Sequence, residues 1–191
     1  AILPGCSKTP EKVGAISFKT NLTYSEVVSD AVPYGPALKG VDLSGMEFGS
    51  AYPGVEGRDW ITPTTQEVDY YTSKGLNVFR IGFAWERAQP KLNGPLETSY
   101  VNKLKNLVDY ASVTKKTTTI IEPHNFAKYR GNAIGSTAVP NSAFADFWSK
   151  MCLQYKDNPR IVFNLVNEPN TLPTEQWVAG ANAAIAAIRA S

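Results

Sequence analysis

Four short apolar runs begin near residues 38, 77, 117 and 161, about 40 residues apart, and each is followed by a segment with helical character. This recurrence constrains the fold more than any other feature. Antiparallel neighbours can be joined by a two-residue turn, whereas parallel neighbours need a crossover of a dozen or more residues, usually a helix. The runs 38–43, 77–83, 117–121 and 161–166 are therefore expected to be parallel strands, linked by right-handed βα crossovers. The last, Ile161-Val162-Phe163-Asn164-Leu165-Val166, is almost continuously apolar, as a strand buried on both faces should be.

The intervals carry the matching helix signals. Thr64-Thr65-Gln66-Glu67 has the spacing of a capping box, Val68 and Tyr71 follow on an apolar side, and Gly75 supplies a left-handed stop. Tyr100, Leu104, Leu107, Val108 and Ala111 mark a second apolar face. From Asn141, the residues Phe144, Phe147, Trp148, Met151 and Tyr155 fall at spacings of three and four, an aromatic stripe that reads as core. Thr174 is expected to cap a last helix, with Trp177, Ala181, Ala184, Ile185 and Ile188 inward. Residues 1–37 lack such periodicity and are punctuated by Pro4, Pro10, Pro33 and Pro36, so they read as an irregular N-terminal extension with one extended piece near 15–20. The expected organisation is that extension followed by an α/β domain over 38–191.

Composition removes several function classes. Nineteen basic against seventeen acidic residues give a net charge of +2, which argues against nucleic acid as the main partner. No apolar stretch reaches the length of a membrane span. Two cysteines, Cys6 and Cys152, make no disulfide framework, and a single histidine supports no multi-histidine metal site. No phosphate-cradling glycine motif is present, so neither a nucleotide cofactor nor a metal is expected. Leu3-Pro4-Gly5-Cys6-Ser7 resembles the end of a lipoprotein signal without its charged and apolar regions, leaving anchoring through Cys6 as an alternative to a plain loop cysteine. Asn21-Leu22-Thr23 fits a glycosylation tripeptide, and together these features point towards export.

The polar residues collect where the strands stop being apolar. Arg80 lies inside the second strand, Glu122-Pro123-His124-Asn125 ends the third, and Asn167-Glu168-Pro169-Asn170 follows the fourth. In a parallel βα array these ends share one rim, where ligands bind. The group suits sugar hydrolysis. Partial desolvation would keep Glu168 protonated as a general acid, and Asn167 can hydrogen-bond a sugar hydroxyl. Arg80 can orient a carboxylate, and His124 can donate to substrate or to a neighbouring acid. Plain structural roles compete: Arg80 neutralising a buried acid, His124 simply satisfied at the rim, Glu168 capping the next helix. A metal site built from Glu122, His124 and Glu168 lacks a supporting ligand spacing.

Three segments carry a family resemblance: Phe79-Arg80-Ile81-Gly82-Phe83-Ala84-Trp85-Glu86-Arg87, Pro123-His124-Asn125-Phe126-Ala127-Lys128-Tyr129-Arg130-Gly131-Asn132, and Val162-Phe163-Asn164-Leu165-Val166-Asn167-Glu168-Pro169. With Gly40-Val41-Asp42-Leu43-Ser44-Gly45-Met46-Glu47-Phe48-Gly49 and Thr174-Glu175-Gln176-Trp177, they resemble glycoside hydrolase family 5 in its secreted endo-β-1,4-glucanase (cellulase) branch. The resemblance implies a TIM barrel and a retaining mechanism using two glutamates, with no cofactor. Glu168 would be the catalytic acid/base, protonating the glycosidic oxygen and later activating water. Asn167 would hold the sugar 2-hydroxyl, and Arg80 and His124 would belong to the catalytic rim; Asn125 and Tyr129 follow the same motif, with Asn125 favoured over Tyr129 as the substrate or rim contact. Trp85 and Trp60 would be candidate stacking platforms. The implied partner is a β-glucan such as cellulose, and the implied location is outside the cell.

The resemblance also sets a limit. A TIM barrel typically takes about 250 residues and eight strands, so 191 residues with four βα units correspond to half a barrel. The nucleophile glutamate of the family comes from its seventh strand, and retention needs two carboxyl groups roughly 5 Å apart. Glu122 is the other strand-end carboxylate near Glu168, one strand away. The chain is thus expected to be a truncated endoglucanase. The alternatives are a non-catalytic β-glucan-binding half barrel and a fragment that dimerises through its open sheet edges.

Overall fold

The computed structural model describes residues 38–191. The expectations for the N-terminal extension, including Cys6, the glycosylation tripeptide and the division at 37/38, fall outside the described residues. The described elements run β1 (Gly40–Asp42), α1 (Thr65–Ser73), β2 (Val78–Phe83), α2 (Trp85–Ala88) and α3 (Thr98–Asp109), which continues into a π-helical turn (Tyr110–Thr114). Then follow β3 (Thr118–Pro123), the two-residue strands β4 (Lys128–Tyr129) and β5 (Asn132–Ala133), α4 (Asn141–Cys152), β6 (Ile161–Phe163) and α5 (Thr174–Ala190).

All four main strands are parallel, in the order β1-β2-β3-β6. Val78 pairs with Gly40 on one side and Thr118 on the other, and Thr119 pairs with Ile161. The architecture is that of a partial TIM barrel, as the 40-residue recurrence requires. Strand alternation sorts the side chains: Phe79 and Ile81 are fully buried against the helices, while Val78 and Arg80 point the other way and are half-buried. The core behind the sheet is aromatic. Trp85 lies 5.0 Å from Phe147 and 5.4 Å from Phe144, and Trp148 meets Phe163 edge-on at 5.6 Å.

Local chemistry explains the helix limits. Glu67 N–H donates to Thr64 Oγ1 and Thr64 N–H donates to Glu67 Oε2, closing the expected capping box. Gly75 follows at φ +81°, with open space where a side chain would stand. The carboxylate of Glu97 caps α3 by accepting from the N–H groups of Ser99 and Tyr100.

Two expectations need correction, and one feature lies beyond them. The last strand extends only over Ile161–Phe163, and Val162 is 46% exposed, so it is not buried on both faces: β6 is an edge of the described sheet. Beyond it the backbone keeps touching β3 at intervals, Asn164 N–H donating to Ile121 O and Asn167 N–H to Pro123 O. The cap of α5 is Pro173, with no side-chain bond; Thr174 is the first helical residue, and the fixed φ of proline sets the helix start. The β4–β5 hairpin, unforeseen because each strand has two residues, turns at Arg130 (φ +47°) and Gly131 (φ +80°), both positive as a tight right-twisting hairpin demands.

Candidate active site

The carboxyl ends of β2 and β3 and the segment after β6 meet at one rim, and their polar side chains form a closed ring of contacts. Arg80 Nη2 is 2.6 Å from Asn167 Oδ1 and 2.5 Å from Glu122 Oε1. Asn167 Nδ2 lies 3.1 Å from His124 Nε2, and His124 Nδ1 lies 2.8 Å from Glu122 Oε1. The ring fixes the histidine tautomer. An amide nitrogen and a guanidinium can only donate, so Asn167 gives its proton to His124 Nε2, and Nδ1–H donates to Glu122.

Glu122 is the centre of this arrangement. It is fully buried, and its second oxygen accepts from Asn164 Nδ2 at 2.6 Å. Both oxygens are therefore occupied by structural partners, and a buried carboxylate is stabilised by such charge-assisted bonds. Arg80 also reaches Asp42 Oδ2 at 2.9 Å. Burial alone would lower the Arg80 pKa, but the hydrogen bond and charge of Glu122, joined by Asp42, raise it. Arg80 thus does neutralise a buried acid, and the same contact aims it at Asn167.

Glu168 stands beside buried Asn167 but is itself exposed. The burial expected for it is not found among the described residues: Glu168, Pro169 and Asn170 are all exposed, although Val166 and Asn167 just before them are buried. Its backbone is left-handed at φ +39°, and its carbonyl accepts from Asn170 Nδ2. It does not cap α5, whose N-cap is Pro173. Asn125 is half-buried, and among the described residues neither its amide nitrogen nor its amide oxygen has a hydrogen-bond partner.

Next to His124 lies a cleft of about 480 Å³ lined by Glu47, Phe48, Tyr52, Glu86, Asn125 and Lys128 among others. Two of its carboxylates escaped the sequence reading. Glu47 follows β1 in a glycine-rich loop, and its carboxylate comes so close to Gly82 that a Cβ there would meet Glu47 Cδ at 3.3 Å and His124 Nδ1 at 3.4 Å. Glu86 is buried in α2; one oxygen accepts from Arg130 N–H at 2.8 Å, and the other has no hydrogen-bond partner among the described residues. Burial pushes its carboxyl pKa up, against the opposing pull of the backbone donors, Arg130 and Arg87.

The expected stacking platforms are not platforms. Trp85 is fully buried, with Nε1 donating to Gln89 Oε1 and its ring enclosed by Tyr129, Phe144 and Phe147. Trp60 is 8% exposed and packs edge-on against Tyr100 at 5.0 Å. Stacking on a sugar needs an open ring face, which neither offers. Tyr129 is also buried, its hydroxyl donating to Gln89 O, so it is no substrate contact. Among the described residues no group of three or more His, Cys, Asp or Glu side chains is arranged to hold a metal ion.

Parallel βα units with a polar ring at the carboxyl ends of the strands define this protein as a barrel type whose site sits on its C-terminal rim. Comparison with known proteins narrows the class. The family model for cellulase (glycosyl hydrolase family 5) matches residues 39–191, and the chain belongs to that family. A probable endo-β-1,4-glucanase B of Aspergillus kawachii is 34% identical over 171 residues, covering 84% of this chain and 50% of the relative. The structure of the endo-β-1,4-glucanase Xac0029 from Xanthomonas axonopodis pv. citri superposes with a TM-score of 0.76 at 37% identity, over 79% of this chain and 48% of that one. That of Pseudomonas stutzeri endoglucanase Cel5A in complex with cellobiose gives 0.76 at 34% identity, over 82% of this chain and 47% of that one. The chain spans about half the length of these relatives.

Proposed function

We propose that this chain carries the acid/base side of retaining hydrolysis of β-1,4-glucans, with Glu168 as the acid/base. Asn167, Arg80, His124 and Asn125 are the substrate-binding residues of this reading. The observation that carries it is the ring through Arg80, Asn167, His124 and Glu122, which holds the Asn167 amide in place at the position directly before Glu168. One proton of that amide goes to His124, and the other is available for a sugar hydroxyl next to the scissile bond.

Double displacement needs a second carboxylate roughly 5 Å from the first. Glu122 is unsuited to it: it is fully buried and both oxygens are engaged. Glu122 is therefore not the nucleophile of this reading. A β-1,4-glucan is favoured as substrate because the relatives are endoglucanases, one of them solved with cellobiose. A polymer of that size does not enter cells, so secretion belongs to the same reading.

Two measurements test it. Electrophoresis through a gel containing β-glucan reports binding, and reducing-sugar release from a soluble cellulose derivative reports hydrolysis. The expected results are retardation of the native chain and loss of any sugar release in Glu168→Gln. An unretarded native chain overturns the glucan reading, and release that survives Glu168→Gln overturns the acid/base assignment.

A second reading concerns assembly. Within the described sheet, β1 and β6 each pair on one side only, and open edges favour strand addition. We infer that two copies associate through these edges. Sedimentation over a range of concentrations would detect the dimer, and a constant monomer mass would overturn it.

A further inference from the structure

The short helix α2 holds a buried cation in an unusual setting. Arg87 is 2% exposed, and its guanidinium donates to five backbone carbonyls of a single loop. Nε reaches Pro53 O at 2.9 Å and Nη1 reaches Met46 O at 3.0 Å. Nη2 is shared by Phe48 O, Ala51 O and Gly49 O at 2.7, 3.0 and 3.3 Å. The guanidinium carbon also lies 5.2 Å from the ring centre of Tyr52 and 5.7 Å from that of Trp60. Loops rarely carry this many inward-facing carbonyls, because each needs a donor. Here one rigid planar donor supplies them all, which a lysine, with three donors on a flexible stem, does not reproduce.

The loop so held is one wall of the cleft beside His124, contributing Glu47, Phe48, Gly49 and Tyr52. The opposite wall is fastened from the neighbouring position, since Glu86 accepts from Arg130 N–H in the β4–β5 hairpin. Successive residues of α2 thus hold both walls, and α2 follows directly on β2, which carries Arg80.

We propose that Arg87 is a positioning residue for polysaccharide binding: by clamping the 46–53 loop it fixes the wall of the cleft that a glucan chain meets on leaving the Arg80–Asn167–His124 rim. Arg87 touches no ligand itself and acts through Glu47, Phe48 and Tyr52. The inference rests on the glucan reading above.

The test uses the whole chain with cellopentaose as the probe. Affinity is measured by calorimetry, and backbone order by hydrogen exchange. Arg87→Lys is expected to bind cellopentaose at least about tenfold more weakly than the native chain. Its amides in the 46–53 loop should exchange faster while those of β2 and β3 keep their native rates. Arg87→Ala leaves room for a small guanidinium, so millimolar ethylguanidinium should restore both affinity and loop protection. If Arg87→Ala does not fold, the lysine variant alone decides. A folded Arg87→Lys that binds within twofold of native overturns the inference, as does rescue of thermal stability without rescue of affinity. If the native chain binds no cellopentaose, the glucan reading falls and this inference with it; native binding that is insensitive to Arg87 removes the inference alone.

Discussion

Glu122, with no exposed surface, holds Arg80 at 2.5 Å and is the point from which the whole rim is oriented. It reaches His124 through the same oxygen and Asn164 through the other. The residue that organises the candidate active site is thus one with no access to substrate.

Glu122→Gln should therefore lower stability substantially. Breaking a buried pair from one side costs about 3–5 kcal/mol, and since Arg80 is still 28% exposed, the low end applies. A loss of about 3 kcal/mol corresponds to a fall in Tm of about 6–12 °C for a domain of this size. A variant melting within a degree of the native chain would show that Arg80 is held by other contacts.

His124 should be the Nδ1–H tautomer. It is the single histidine of the chain, so a long-range proton–nitrogen correlation spectrum gives one unambiguous pattern. The expected pattern is a protonated Nδ1 and an acceptor Nε2. The opposite pattern would break the ring between Asn167 and Glu122.

Glu86 should make the fold less stable as pH rises. Its carboxyl pKa is raised in the folded state by burial, so between the unfolded and folded values the native chain holds a proton that the unfolded chain has released. Stability from this group is fully present below the ordinary glutamate range and declines as pH climbs through the folded pKa. Glu86→Gln keeps the acceptor for Arg130 N–H and removes the titration. Its Tm relative to native should therefore rise between pH 4 and pH 7, as calorimetry at the two values would show; a flat or falling difference refutes the assignment.

Thr64→Ala should cost about 1 kcal/mol, the usual value of an N-cap side chain. Val68 is the buried residue of α1, so the helix relies on its capping box as much as on packing. Hydrogen exchange should accelerate in the first turn of α1 and remain native in β2. Unchanged protection in that turn would argue that packing alone holds α1.

The features legible in the sequence are those with a period or a fixed local spacing. The second strand, the Thr64–Glu67 box and the Gly75 stop could be read because each is complete within a few residues. Arg80, His124 and Asn167 were legible as rim residues because strand ends in a parallel array share a rim. Other features depend on contacts that sequence order does not carry. The five acceptors of Arg87 lie 34 to 41 positions upstream. The burial of Trp85 does not show in sequence because four helical residues are too few to reveal which face is buried. In sequence Glu122 reads as a candidate metal ligand or second carboxylate, since nothing next to it reveals that both its oxygens are claimed. The apolar run at 161–166 overstated the burial of β6, because hydrophobicity records what a strand can cover and not how much lies against it here.

The ring around Glu122 also bears on how this rim can be re-engineered. Arg80, Glu122, His124 and Asn167 satisfy one another in a fixed donor-to-acceptor sequence, so changing any one leaves a lone pair or a proton stranded at two others. The four positions are therefore expected to act as a single mutational unit. Variant libraries aimed at new specificity would do better to vary the open cleft wall around Phe48 and Tyr52 one residue at a time, and to exchange the ring only as a complete set.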